Sequence, residues 1–403
     1  MSITATGNQI SKAEVLNALF LKGLDSGGAF ALWRKPKSSK LEFIQDDQSE
    51  PIRVNLELEN LSAGFLVHPF ADQEDKKAYF IQASRYFSVH LDSVSSEIEI
   101  PEWLSTELGE EESKIRIAEL IRNRSFSQLE PAGECDQKAH FLDLVEKGIQ
   151  AIDSGLLEKI VPARTRLIDL PETFDLAQTF TRLLEAYPNS FVNFFHIPGV
   201  GTWIGASPEV LIETKGDQFY TMSLAGTQPA RGENPLKSAA WTQKEIEEQA
   251  MVSRYIVDCF KKIRLREYEE HGPKTVLAGN LLHLRSDFRV NMKSTNFPNL
   301  GTVMLELLHP TSAVCGMPRK EAHDFLQTHE GFDRSFFAGF LGPVNIQEET
   351  SIYVNLRTAN LQGEKAILFA GAGVTEDSDP EMEWEETELK CNIIGKFLQN
   401  PFD

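Results

Sequence analysis

The sequence has little of what marks the commonest function classes. Its four cysteines, Cys135, Cys259, Cys315 and Cys391, are scattered, and no two have Cys-x-x-Cys spacing. That argues against a disulfide framework and against a thiolate zinc site, and predicts four reduced, mostly buried thiols. No apolar run approaches the ~18 residues that cross a bilayer. The N-terminal stretch shows no basic segment followed by an apolar run, so neither a signal peptide nor a membrane partner is expected, and the cytoplasm is the expected compartment.

Positive charge is also scarce. Lys and Arg number 40 against 60 Asp and Glu, a net charge of −20. A nucleic-acid partner needs a basic footprint, so none is expected. The same excess repels a small anion at long range. An anion site in this chain therefore needs local help from a bound cation, helix N-termini or placed Arg and Lys. Glycine-rich phosphate loops and the G-x-S-x-G nucleophile turn are absent, and Gly371-Ala-Gly373 is too short for a dinucleotide loop.

What is present is ample apolar material, 41% of 403 residues, enough for a large core. Residues 1–130 mix short strand-like runs (28–33, 79–89) with polar turns, and 98–134 is charged and partly helical. Phe141, Leu144, Val145, Ile149 and Ile152 recur on one helical face and predict a helix over 138–153. A short strand follows at 159–164, where Pro162 marks an edge or bulge, then a helix over 173–187. Four short strands lie between 190 and 224. A long amphipathic helix is predicted over 239–268, strands over 275–292, and two helices between 300 and 328. Strands at 334–344, 350–360 and 365–373 precede a closing helix over 380–398. Runs of strands separated by helices, without strict alternation, predict an α+β fold, an α/β sandwich with large antiparallel sheets flanked by helices.

Two acidic helical segments stand out. Glu245 and Glu248 are three residues apart, as are Glu383 and Glu386, so each pair shares a helix face. Two such helices facing each other would offer oxygen ligands only, with no imidazole or thiolate, which suits Mg²⁺. Taken without any relative, solvated acidic faces are the plainer interpretation. Gly205-Ala-Ser-Pro-Glu209, Leu224-Ala-Gly-Thr227 and Ala370-Gly-Ala-Gly373 each end a strand. Glycine there allows backbone to approach a ligand, though each taken alone is also ordinary turn chemistry. Arg357 sits inside a strand pattern, where a buried cation needs a partner such as a substrate carboxylate.

These segments together resemble the chorismate-utilising enzymes. The matching stretches are Glu158-Lys-Ile-Val-Pro-Ala-Arg164, Gly205 to Glu209, and Leu224 to Thr227 with Arg231-Gly232. They continue with Leu282-His-Leu-Arg-Ser286, His309-Pro-Thr-Ser-Ala-Val-Cys-Gly-Met-Pro318 and Arg334-Ser-Phe-Phe-Ala-Gly339. Ala370 to Gly373, Ser378-Asp-Pro-Glu381 and Glu386-Thr-Glu-Leu-Lys390 complete the set. The resemblance implies one chorismate-binding domain over 1–403, with catalytic motifs in 137–398 and a weaker match over 1–130.

It also implies roles. Glu248 and Glu386 would bind Mg²⁺, supported by Glu245 and Glu383. Arg357, Lys390 and the backbones of Gly226 and Gly371 would hold substrate carboxylates. Thr227 would be a substrate-binding residue, and His283 would lie near the site, with a structural hydrogen bond as an equal alternative. Family members that add water resemble this chain in having lysine at 159. Lys159 would then be the general base and Glu209 the general acid in an isomerisation of chorismate to isochorismate. Ala225 stands where aminodeoxychorismate synthases carry a lysine nucleophile, and adding water requires no glutaminase subunit. Salicylate synthases also add water but then eliminate pyruvate. They resemble one another in a Thr and a Tyr where this chain has Ala313 and Phe337, a less polar wall closer to isochorismate synthases. A non-catalytic chorismate-binding relative is the remaining alternative. A monomer is expected, and the resemblance leaves menaquinone and catechol-siderophore pathways both open.

Overall fold

The computed structural model describes residues 11–72, 75–92, 100–105, 109–123, 137–232, 234–278 and 281–399. Short runs rich in β-branched and aromatic residues build two large sheets, and every strand pair among the described residues is antiparallel. The first sheet has eight strands. Their spatial order is β6 (Arg85–His90), β2 (Lys40–Gln45), β1 (Phe30–Arg34), β9 (Phe191–Ile197), β10 (Gly201–Ser207), β18 (Thr358–Gln362), β19 (Lys365–Gly371) and β8 (Ala163–Asp169). The second has nine, in the order β13 (Glu269–Ala278), β14 (Leu281–Asn291), β12 (Gln218–Pro229), β11 (Val210–Lys215), β17 (Glu349–Val354), β16 (Phe340–Val344), β4 (Gly64–His68), β5 (Ala78–Gln82) and β3 (Ile52–Val54). A small ribbon pairs β7 (Lys159–Ile160) with β15 (Gly316–Met317).

Strand alternation assigns side chains to two cores. In β9, Phe191 and Phe195 enter the core shared with the second sheet, while Val192 and Phe194 enter the core under the helices. Phe191 stacks on Tyr353 of β17 at 3.9 Å between ring centres, and Trp33 lies 5.3 Å from Phe65 of β4. The sheets therefore face each other. A one-residue slip of β9 would exchange all four side chains between layers, which is why register is strongly specified. The far face of the first sheet is covered by α1 (Lys12–Asp25), α2 (Glu110–Arg122), α4 (Leu176–Ala186) and α9 (Pro380–Gln399). Helices α6 (Gln243–Lys262) and α7 (Leu300–Leu308) cover the second sheet. Helix α3 (Gln137–Asp153) packs on α9, the short α5 (Pro235–Ser238) precedes α6, and α8 (Arg319–His329) follows β15.

The expected α+β class holds, with several boundaries corrected. The long helix expected over 239–268 spans Gln243–Lys262. Arg264, with φ of 59°, leaves the helical region there, and pairing with β14 draws Glu269 onward into a strand. The strand expected over 350–360 is two strands broken at Asn355–Arg357, and that expected over 334–344 begins only at Phe340. Asp175 caps α4, accepting from the Gln178 amide at 2.9 Å, so that helix starts later than 173. Pro162 does separate β7 from β8. Residues 30–90, whose sequence match is weak, supply three strands to each large sheet. Cys259, Cys315 and Cys391 are free and buried; the charged 98–134 segment is helical in part, as expected, through α2, and Cys135, residues 1–10, 98–99, 106–108 and 124–134 lie outside the described residues. No described helix is long and apolar enough to cross a membrane.

Candidate active site

The chain crosses between the two large sheets twice at one place. Strand β10 passes to β11 through Pro208–Glu209, and β17 passes to β18 through Asn355–Arg357. Because β10 pairs with β18 and β11 with β17, the two crossings lie side by side. The Val354 amide donates to the Glu209 carbonyl at 3.1 Å, and the Ala206 amide donates to the Arg357 carbonyl at 3.0 Å. Arg357 holds φ at 51°, a sparsely populated conformation for a side chain with a Cβ. Such strain persists where surrounding contacts fix it and is common at functional sites.

A cavity opens at this seam. Glu209, Arg357, Gly226, Thr227 and His283 line it together with Glu248, Glu386, Lys390, Gly371, Ala313 and Phe337. Eleven of the fourteen expected site residues thus share one cavity. Lys159 is fully buried immediately behind Glu248, with its Nζ 2.9 Å from Glu248 Oε1. Glu383 is also buried and pairs with Lys244.

Glu245 departs from the expected set. Its carboxylate accepts from the Thr242 amide at 2.7 Å and from the Thr242 hydroxyl, closing a capping box at the start of α6. It does not line the cavity. The backbones of Gly226 and Gly371 are also committed within the protein. The Gly226 amide donates to Glu248 Oε2 at 3.1 Å, and the Gly371 carbonyl accepts from Lys390 Nζ at 2.7 Å.

The electrostatics separate the carboxyls. Burial pushes the Glu209 carboxyl up to about 8, against the opposing pull of Lys159, Arg357 and Lys390. Glu209 is therefore largely protonated at neutral pH. Burial also opposes ionisation of Glu248, but the Lys159 ammonium outweighs it and the carboxyl falls below its ordinary value. Glu383 is raised by burial and by the charge of Glu386. Burial lowers the Arg357 guanidinium to about 10, and it forms no ion pair with any described residue. Burial drives His283 down to about 3. Its Nδ1–H donates to the Gly226 carbonyl at 2.8 Å, which leaves Nε2 as an acceptor on the cavity side.

The donor set fits a hard divalent cation. Glu248 on α6 and Glu383 and Glu386 on α9 offer carboxylate oxygen only. Each is held by one lysine: Lys159, Lys244 and, at 2.5 Å, Lys390. In this arrangement no three of the four expected carboxylates, Glu245 included, bring ligand atoms within 4.8 Å of one another. Sequence reasoning missed Lys244, whose sole signal is its place before Glu245. It also gave no role to Arg334, which lines the cavity while bonding the Val161 and Val314 carbonyls of its wall at 2.7 and 2.8 Å.

Comparison with known proteins agrees with this geometry. Isochorismate synthase EntC of Escherichia coli (strain K12) is 28% identical over 307 residues, 74% of this chain and 76% of that protein. Isochorismate synthase DhbC of Bacillus subtilis (strain 168) is 29% identical over 263 residues, 62% of this chain and 65% of its own length. The solved structure of MenF, the menaquinone-specific isochorismate synthase from Escherichia coli, superposes with a TM-score of 0.71. It covers 97% of this chain and 92% of its own, at 20% identity, and so shows a shared fold. The model of the chorismate binding enzymes matches residues 75–399, a span that contains the whole cavity, and the chain belongs to that family.

Proposed function

We propose that this protein is an isochorismate synthase, an isomerase that converts chorismate to isochorismate. The observation that carries the reading is Glu209, a buried carboxyl held protonated at neutral pH at the wall of a cavity that also presents an unpaired Arg357. Arg357 and Lys390 hold the substrate carboxylates, and the Nε2 of His283 accepts from a ring hydroxyl. Thr227, Gly226 and Gly371 line the same cavity. Lys159, in its neutral amine form and not as the ammonium paired with Glu248, removes a proton from water arriving at ring carbon 2. Glu209 donates its proton to the hydroxyl departing from carbon 4, and the ring double bond shifts between the two centres. One water is consumed and one released, so the product is an isomer. Mg²⁺, held by Glu248 and Glu386 with Glu383 beside them and Glu245 one turn away, would supply counter-charge for the ring carboxylate.

Ala313 and Phe337 support stopping at isochorismate. Phe337 is buried and stacks on Phe369 at 5.4 Å, so this wall offers no hydroxyl to assist pyruvate loss. We read residues 1–403 as one chorismate-binding domain, because strands from residues 30–90 form part of both sheets. It acts as a cytoplasmic monomer without a glutaminase subunit, since water is the nucleophile.

The test is incubation with chorismate and Mg²⁺ followed by chromatography of the products. Isochorismate without pyruvate supports the reading. Salicylate with equimolar pyruvate would make the protein a salicylate synthase, and absence of turnover a non-catalytic binder. Lys159→Ala is expected to abolish water addition while chorismate still binds; an active Lys159→Ala variant removes the base.

A further inference from the structure

We propose that His68, Asp72 and His309 form a second metal site, for a transition-metal cation of the zinc class, separate from the glutamate-lined cavity. His68 ends β4, Asp72 follows it across Pro69 and Phe70, and His309 caps the C-terminal end of α7. One ligand atom from each lies within 4.8 Å of the other two, and His68 Nε2 is 3.8 Å from Asp72 Oδ1. Zinc bonds of ~2.0–2.2 Å in tetrahedral geometry place neighbouring ligand atoms roughly 3.3–3.6 Å apart. The exposed Asp72 side chain closes that difference by a small rotation.

The histidines are arranged as ligating histidines are. The Nδ1–H of His68 donates to the Pro69 carbonyl at 2.8 Å, which fixes the tautomer with the Nε2 lone pair free. His309 hydrogen-bonds the backbone at Phe70 and Pro69. The Nε2 atoms of both rings are buried and have no hydrogen-bond partner among the described residues. A buried polar atom without a partner is destabilising unless a ligand takes it up. Phe340 fixes both rings, stacked on His68 at 4.7 Å and edge-on to His309 at 4.7 Å. Two imidazoles and one carboxylate favour zinc-class ions over Mg²⁺, with solvent as the fourth ligand. A surface groove lined by Asp72, His309 and Glu306 provides entry.

The site would tie two segments that frame the substrate cavity. Ala313 and Val314 of the cavity wall follow His309 closely in sequence, and Phe70 lies under the Arg334 guanidinium at 4.2 Å. A metal there clamps the 68–72 loop to that wall. The proposal does not depend on which reaction the cavity performs.

The test uses chelator-treated full-length protein titrated with Co²⁺, whose tetrahedral complexes absorb strongly in the visible. The expected result is one Co²⁺ per chain with such bands, displaced by Zn²⁺ and unchanged in Glu386→Gln. The bands should vanish in His309→Gln and Co²⁺ affinity should fall at least ~10-fold in Asp72→Asn. Because Asp72 is exposed, that variant is expected to fold, and Zn²⁺ should raise the Tm of the wild type but not of Asp72→Asn. Absence of stoichiometric bands, bands of full strength in Asp72→Asn, or bands lost in Glu386→Gln would each overturn the proposal.

Discussion

Lys159 and Glu248 form an ion pair whose cationic half is fully buried and whose carboxylate reaches the cavity edge, with side-chain exposures of 0% and 15%. The pair ties the β7 ribbon to helix α6 and fixes the orientation of a cavity carboxylate. The halves are unequal, and a stability difference follows. Glu248→Gln leaves a buried ammonium without counter-charge and is predicted to cost ~3–5 kcal/mol. Lys159→Met leaves a carboxylate that still accepts from the Gly226 amide, and should cost less. The double variant should recover most of the Glu248→Gln loss. Urea unfolding of all four proteins checks this, and simple additivity of the two single effects would refute the coupling.

Gly373 makes a sharper probe of the same carboxylate. A Cβ added there falls on Glu248 Oε1, inside contact distance, and 3.3 Å from the Lys159 Cε. The obstructing atom is the far end of a flexible side chain, so the backbone has no need to move. Gly373→Ala is therefore predicted to keep Tm within a few degrees of wild type while kcat/KM for chorismate falls at least ~10-fold. A matching fall in Tm would show instead that glycine is required by the fold.

Much of the site was legible in the sequence because it lies on regular periodicities. Glu248, Glu386 and Lys390 sit on helices whose i, i+3 and i, i+4 spacings were readable, and all three reach the cavity. Glu245 shares that spacing, yet capping at Thr242 takes up its carboxylate, and spacing alone does not distinguish a cap from a ligand. Arg357 was read as part of a continuous strand. The break there comes from the chain changing sheets, which is set by tertiary pairing and not by local sequence. Lys244 and the Arg334–Glu330 pair were invisible as site elements, because their partners come from distant elements.

Glu209 carries the clearest pH dependence. Its carboxyl is raised by burial to about 8, so its acid form predominates below that pH. If it donates the proton to the leaving hydroxyl, kcat/KM is predicted to fall as pH rises through about 8. The linkage to stability has the same sign. Between its ordinary value and about 8 the native carboxyl holds a proton that the unfolded chain has released, so rising pH weakens folding. Glu209→Gln should abolish turnover and flatten that part of the pH dependence of Tm. An unaltered activity limb in an active Glu209→Gln variant would rule out Glu209 as the acid.

Arg334 and Glu330 are 3% and 4% exposed at the side chain and form a bidentate pair beneath the cavity wall. Glu330 also accepts from the Ala163 amide at 2.8 Å, while Arg334 donates to the carbonyls of Val161 and Val314. One guanidinium fork thus spans the wall segment before β8 and the one before β15. Lysine keeps the charge but cannot reproduce the fork. In Arg334→Lys at least one buried carbonyl loses its donor, at a cost of about 1–3 kcal/mol. Because Val161 and Val314 line the cavity, their displacement is predicted to raise KM for chorismate several-fold while kcat changes little. Thermal unfolding and steady-state kinetics on one preparation check both halves. A large loss of kcat at unchanged KM would place Arg334 in the chemical step and not in holding the wall segments.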